Sequence, residues 1–245
     1  MDKILLGFKD AEERLPKAKE LIVTGNPTKF TDKVLSWDQR AKLKHELDID
    51  NSLPIVLVFG GSQGAKSINK TLINIIKNNL NSNYQLIWAV GQKQYEEIIE
   101  ELVKGNINTE NIENTKILPY IYNMEEIMRL ADIIISRSGA MTITEIGVVG
   151  KPAIFIPFPF ATENHQEYNA KVLENAGAAR IILDKELNSE ILTRTLNNML
   201  ENKEILAEMG ENAKQINVPY TLDLIYNQIE ELVNVEEAEI GSEQI

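Results

Sequence analysis

The 245-residue chain contains no cysteine, which excludes a disulfide framework, a thiolate metal site and a cysteine nucleophile. Its two histidines, His45 and His165, are too few for a transition-metal centre, and neither a His-Glu-x-x-His helix nor a Gly-x-Ser-x-Gly elbow occurs. Cations are scarce: 25 Lys plus Arg stand against 37 Asp plus Glu, a formal net charge of −12. Long-range repulsion makes such a chain a poor general partner for nucleic acid or anionic lipid. No aromatic-plus-basic pattern offers bases a stacking surface either, so no nucleic acid is expected. Long hydrophobic runs are also lacking. The apolar stretch 4–8 ends at Lys9-Asp10-Ala11-Glu12-Glu13, and the stretch 153–161 is broken by Pro157 and Pro159. Neither reaches the about 20 apolar residues of a membrane span, and the first is too short for a secretory signal. The expectation is a soluble, cytoplasmic chain.

What is present is a regular alternation. Short runs, apolar along their whole length, fall at 21–24, 55–59, 85–90, 116–118, 132–135, 152–156 and 180–182. Strands covered on both faces read in this way. Between them lie helical patterns at 65–80, 94–103, 124–131, 141–149 and 165–176; on the first, Leu72, Ile75, Ile76 and Leu80 form one buried stripe. Strand–helix alternation with short connections implies right-handed crossovers, hence an α/β fold with a Rossmann-like parallel sheet and helices on both faces. After Ile182 the pattern turns all-helical, at 189–200, 203–215 and 222–233, before an acidic tail expected to fray. Residues 25–30 read as a joint, and a helix is expected from Asp32 into the main sheet at Ile55.

In such a sheet ligands bind where strand carboxyl ends feed helix N-termini, and three of these places are unusual. Gly60-Gly61-Ser62-Gln63-Gly64-Ala65 fails the nucleoside-triphosphate P-loop pattern at Ala65, but still lets backbone N–H groups approach a phosphate, with Ser62 adding a hydroxyl. A tight turn needing glycine for its backbone alone would look the same. The second place is Ser136-Arg137-Ser138-Gly139-Ala140-Met141-Thr142. Small residues at a helix start leave N–H groups open to an anion, and Glu145, one turn on, can return to the cleft and accept ribose hydroxyls. Ser138 as an N-cap and Glu145 as a surface residue is the alternative. In the third place, 157–170, Asn164 can cap the next helix, and His165 and Gln166 project from its first turn, where they suit sugar hydroxyls. A lone histidine at a helix start also reads as a capping or surface group. His45, in a charged helix, reads as solvated.

Together with Thr24-Gly25-Asn26-Pro27, Tyr120-Ile121-Tyr122-Asn123-Met124, Asn169-Ala170 and Ala176-Gly177-Ala178-Ala179, these segments resemble, in order and spacing, the carboxyl-terminal domain of glycosyltransferase family 28. The resemblance covers residues 3–233. It implies a GT-B fold, two Rossmann-like domains across a cleft, and inverting transfer of GlcNAc from UDP-GlcNAc to the peptidoglycan precursor lipid I, with no cofactor and no metal. It places Gly61, Ser62, Gln63 and Gly64 by the diphosphate and ribose, Ile121 and Met124 by the uracil, and Ser138, Gly139, Ala140, Met141 and Thr142 by the diphosphate. Glu145 would hold the ribose, and His165 and Gln166 would read the sugar. Lys29 stands where the family has an Arg, keeping the charge but not the bidentate fork.

The family's acceptor-binding Gly-rich loop, membrane-facing patch and general base have no counterpart here, so no catalytic residue is expected in this chain. The domain reading is therefore 1–30 as the remnant of an acceptor domain with its hinge, 31–235 as the donor domain and 236–245 as the tail. Lipid I and the cytoplasmic face of the membrane would be met through the absent domain, or through a separate amino-terminal polypeptide. Alternatives are a stand-alone UDP-sugar-binding module, a related transferase with another donor or acceptor, and a truncated product without function. Without the acceptor domain, the 222–233 helix should expose apolar surface.

Overall fold

A computed structural model describes residues 3–15, 20–49, 52–61, 63–110 and 112–242, without the side chains of 13, 14 and 234–242. Two short parallel strands, β1 (Lys3–Leu6) and β2 (Glu20–Val23), form a sheet of their own. The chain then runs through α1 (Trp37–Glu46), β3 (Ile55–Phe59), α2 (Lys66–Lys77), β4 (Gln85–Ala89), α3 (Tyr95–Lys104) and β5 (Thr115–Leu118). It continues through α4 (Met124–Leu130), β6 (Ile133–Ser136), α5 (Ala140–Val149), β7 (Ala153–Phe155), α6 (His165–Asn175) and β8 (Ala179–Ile181). The final helices are α7 (Ser189–Leu200), α8 (Lys203–Lys214) and α9 (Thr221–Ser242).

Strands β3 to β8 form one all-parallel six-stranded sheet in the order β5-β4-β3-β6-β7-β8. Every residue of β3, β4 and β6 is buried, because alternate side chains serve different faces. Leu57, Phe59, Ile87, Ile134 and Phe155 join one core with residues of α4, α5 and α6. Val56, Val58, Leu86, Trp88, Ile133, Ile135 and Ile154 join a second with α2, α3 and α7. At about 1.5–3 kcal/mol for each large apolar side chain, the two faces outweigh the propensity of any single element.

Local chemistry sets the boundaries that differ from expectation. The helix expected from Asp32 begins at Trp37, where Ser36 and Gln39 exchange backbone and side-chain hydrogen bonds as a capping box. Helix α2 stops at Lys77, and Asn79 follows with φ +52, so Leu80 lies beyond the helical stripe. Helix α9 continues through most of the tail expected to fray. Lys3 ties it back to β1, donating to Gln228 Oε1 at 2.9 Å and to Glu231 Oε2 at 2.6 Å. On α9, Leu222, Tyr226, Ile229 and Val233 remain at least half exposed, as expected for an uncovered face.

Candidate functional site

Leu118, Ala89, Phe59, Ser136, Phe155 and Ile181 are successive neighbours across the large sheet. The connecting loops therefore leave from one even edge. Strands β3 and β6 are adjacent, yet the chain moves outward from them in opposite directions, toward β4 and toward β7. That reversal opens a crevice at the carboxyl ends, walled by residues 60, 61 and 63–65 on one side and 137–139 on the other. Two of the three motifs meet here, and the third follows β7 next door. The 119–123 loop lies three strand spacings from the 137–139 loop, about 14 Å, the scale of a nucleoside-diphosphate sugar.

The 60–65 wall is held by contacts that only glycine permits. A Cβ on Gly64 (φ +73) would lie 2.2 Å from Val90 O, and one on Gly60 would lie 2.4 Å from Ala65 N. Gly61 (φ +85) differs, since nothing lies within 4 Å of its Cβ position and it faces open space. Gln94 Nε2 donates to Gln63 O at 2.8 Å, while Asn69 Nδ2 donates to Gln94 Oε1 and Val90 O. Buried Trp88 completes the brace by donating from Nε1 to Asn69 Oδ1 at 3.0 Å. Ala65 stands at the N-cap of α2 and no described side chain caps its first turn, so among the described residues its N–H groups stay open to an incoming anion. Ser62 lies outside the described residues.

The 137–139 wall divides its side chains between support and ligand. Arg137 is committed to protein partners: Nη1 donates to Ile156 O, Pro157 O and Asp184 Oδ1, the last at 2.5 Å, and Nη2 donates to Ser67 Oγ at 2.9 Å. Its guanidinium also lies 5.5 Å from the centre of the Phe158 ring. One side chain thus pins the ends of β6 and β7, the start of α2 and the segment after β8. Ser138 is fully buried, donating to Gln166 O at 2.7 Å, and its own carbonyl accepts from Asn169 Nδ2. Gly139 is the N-cap residue of α5 and no described side chain caps that helix, so among the described residues the amides of Ala140, Met141 and Thr142 are left for an anion. Ala140 and Met141 are exposed, Thr142 half-buried.

Glu145 is half-buried and has no hydrogen-bond or ion-pair partner among the described residues. Burial pushes its pKa up, the state in which a carboxylate gains most from hydroxyl donors. Its neighbour Thr144 is tied instead to Ala140 O and to Asn26 Nδ2, which joins the 25–30 segment to α5. Lys29 in that segment is exposed.

In the third motif, Asn164 does not cap α6 through its side-chain oxygen. It takes a left-handed conformation (φ 55), as does Glu163 (φ 51), and its amide donates to Glu167 Oε2 at 2.7 Å. Exposed His165 holds Thr162 O with Nδ1 at 2.8 Å, which fixes the proton on Nδ1 and frees Nε2. Gln166 accepts the Phe158 N–H with Oε1 at 3.0 Å and keeps its amide hydrogens for another acceptor. In the 119–123 loop, Ile121 buries its side chain, and neither its N–H nor its C=O joins a backbone hydrogen bond. Met124 begins α4 and packs against the core.

The three strand-end motifs and the 119–123 loop thus share one edge, apart from Ser62, which is not described, while Ser138 is occupied with support and the 176–179 segment lies at the start of β8, on the opposite edge. Sequence reasoning missed the braces. Arg137 stood inside a recognised motif, but its partner Asp184 is 47 residues away with no spacing pattern to mark it.

A doubly wound parallel sheet with an open switch point and two uncapped helix starts defines a nucleotide-binding type of α/β domain. Residues 55–225 match the model of the glycosyltransferase family 28 C-terminal domain, and the chain belongs to that family. It is similar to the UDP-N-acetylglucosamine--N-acetylmuramyl-(pentapeptide) pyrophosphoryl-undecaprenol N-acetylglucosamine transferase of Acetivibrio thermocellus, 36% identical over 95% of this chain and 61% of the relative. The same-named enzyme of Ruminiclostridium cellulolyticum is 35% identical over 94% of this chain and 62% of that protein. The crystal structure of Acinetobacter baumannii MurG superposes with a TM-score of 0.68 at 28% identity, covering 89% of this chain and 58% of that one. The chain therefore spans about three fifths of the length of the relatives it matches. No helix among the described residues is long and apolar enough to cross a membrane.

Proposed function

We propose that this chain is the donor-binding part of an inverting UDP-GlcNAc transferase that adds GlcNAc to lipid I, giving lipid II for peptidoglycan. The observation that carries this reading is the pair of helix starts facing the switch point, uncapped among the described residues, beside a desolvated Glu145 that has no partner among them. In this reading the α5 amides at 140–142 and the 60–64 loop take the diphosphate, with Ser62 and Lys29 near it. Glu145 accepts the two ribose hydroxyls. The backbone of Ile121 meets the uracil edge, with Met124 beneath it. His165 Nε2 and the free amide of Gln166 read the sugar hydroxyls. As the acceptor oxygen attacks the anomeric carbon, charge builds on the departing diphosphate, and the α2 and α5 N-termini stabilise it where it forms.

The general base, the lipid I contacts and the surface that meets the inner face of the membrane belong, in this proposal, to the amino-terminal part of the family that these residues do not span. That part is supplied by the same polypeptide or by a separate one. The boundaries 1–30 for the hinge-side remnant, 31–235 for the donor domain and 236–245 for the tail belong to the same reading. Calorimetry with UDP-GlcNAc, UDP-glucose and UDP-galactose tests it. Saturable binding that favours UDP-GlcNAc, without GlcNAc transfer to a lipid I analogue by these 245 residues alone, is the expected result. Failure to bind any UDP-sugar refutes the donor site, and a preference for another sugar refutes the donor assignment.

A further inference from the structure

The opposite, amino-terminal edge of the large sheet carries a feature that donor binding does not use. Pro54, Asp132 and Pro152, which lead into β3, β6 and β7, line a cavity of about 800 Å³ together with α1, α7 and α8. An adjoining recess of about 510 Å³ shares Arg40, Gly150 and Lys151 with it. Four cations line the cavity, Arg40, Lys44, Lys151 and Lys203, and none has an ion-pair partner among the described residues. Of the acids there, Glu211 is held by Lys214 at 2.6 Å, which leaves Asp132, whose carboxylate accepts the Ile55 N–H at 2.8 Å, and Glu201 as two negative charges against the four positive ones. In a chain of net charge −12 this is a local reversal of the field.

Cations near helix C-termini often serve only to complement the helix dipole. Arg40 does so in part, donating from Nη1 to Leu130 O at 3.1 Å and from Nη2 to Arg129 O at 3.3 Å, which leaves its other N–H groups unused. Lys151 lines both cavity and recess, and its ammonium makes no hydrogen bond to any described group. Burial pushes its pKa down to about 8, and the charges of Arg40, Arg129 and Lys214 act in the same direction against the single carboxylate of Asp132. A desolvated ammonium among surplus cations is relieved by an incoming anion.

We propose that this cavity is a second binding site, for a small anion carrying two or more phosphate charges, held between Arg40 and Lys151. It is separated from the donor crevice by the length of the strands, so both sites can be filled together. The ligand's phosphates come either from a free phosphorylated compound or from a lipid headgroup.

The test is amide NMR of the isotope-labelled chain, saturated with UDP and titrated with inorganic pyrophosphate at pH 7. The expected result is saturable movement of the Gly150, Lys151 and Gly210 resonances. Lys151→Gln should weaken this response tenfold or more and Lys44→Gln several-fold, both leaving UDP affinity and the rest of the spectrum unchanged. Pyrophosphate shifts confined to residues 60–64 and 139–142, or an affinity indifferent to both substitutions, overturn the proposal. If UDP moves nothing at the donor loops while pyrophosphate still moves Lys151, the donor reading fails and this one stands. Co-sedimentation with phosphatidylglycerol vesicles that pyrophosphate competes away assigns the phosphates to a headgroup; its absence alongside pyrophosphate binding assigns them to a free compound.

Discussion

Replacing Lys151 with Met should make the domain more stable at neutral pH, and the gain should disappear in alkali. Methionine keeps the apolar stem and removes the ammonium. In the folded chain burial lowers the Lys151 pKa from 10.5 to about 8. At about 1.4 kcal/mol per pKa unit, holding the charge in that place costs the folded state up to about 3.5 kcal/mol. Relaxation and water entering the open cavity reduce this to about 1–3 kcal/mol. The sign follows from proton counting. Below pH about 8 the lysine is charged in both states, so the whole cost is present. Between about 8 and 10.5 the unfolded chain binds more protons than the folded one, so wild-type stability rises with pH and the cost fades. Urea denaturation of both proteins at pH 7 and pH 10 reads this as a higher midpoint for Lys151→Met at pH 7, with an unchanged slope, and a much smaller gap at pH 10. An equal gain at both pH values, or none at pH 7, would refute the reasoning. With UDP saturating the donor site, pyrophosphate should raise the wild-type midpoint more than that of the Met variant.

Asp184→Asn removes one partner of a largely buried ion pair and should cost about 2–4 kcal/mol in urea denaturation, with a parallel loss of UDP affinity because Arg137 then releases the loops it pins. A variant with wild-type UDP affinity would separate the clamp from the site. Gly64→Ala should cost more than about 2 kcal/mol and abolish UDP binding, since its methyl meets Val90 O, whereas Gly61→Ala, in open space, should cost only about 1 kcal/mol for its positive φ; equal effects in a denaturation series would contradict the packing argument. Glu145→Ala should weaken UDP binding by about 1–3 kcal/mol in calorimetry. In wild type the affinity should fall on acidification at a higher pH than for an ordinary glutamate, because burial raises the pKa and only the ionised form accepts both hydroxyls. Ser36→Ala should cost about 1 kcal/mol by thermal denaturation through loss of the α1 capping box.

Elements with a strong local signature are legible in the amino-acid order. Ile55–Phe59 and Ile133–Ser136 read as buried strands because an unbroken apolar run has no polar face to give to water. The 60–64 and 136–142 turns read as phosphate-suited because glycine and small residues at a helix start leave the backbone bare. Less legible are helix boundaries such as Trp37 and Lys77, which single side-chain hydrogen bonds and one left-handed asparagine decide. Asn164 shows the limit of a local rule: its residue type suits an N-cap, but its left-handed backbone turns the amide toward Glu167 instead.

The alternation of buried strands and helices, the family, and the small-residue turns at the strand ends all follow from sequence alone, since these depend on neighbours within a few positions along the chain. The strand order does not. It emerges only from tertiary packing, and with it the fact that β3 and β6 lie side by side and set two of the motifs across one crevice. The same packing commits Arg137 and Ser138 to support, leaves Glu145 without a partner among the described residues, and gathers Arg40, Lys44, Lys151 and Lys203 around a cavity at the far edge. The reason is that parallel strands carry nearly interchangeable apolar runs. Which run pairs with which, and so which distant charges share a low-dielectric space, is settled by packing the whole sheet between its helices.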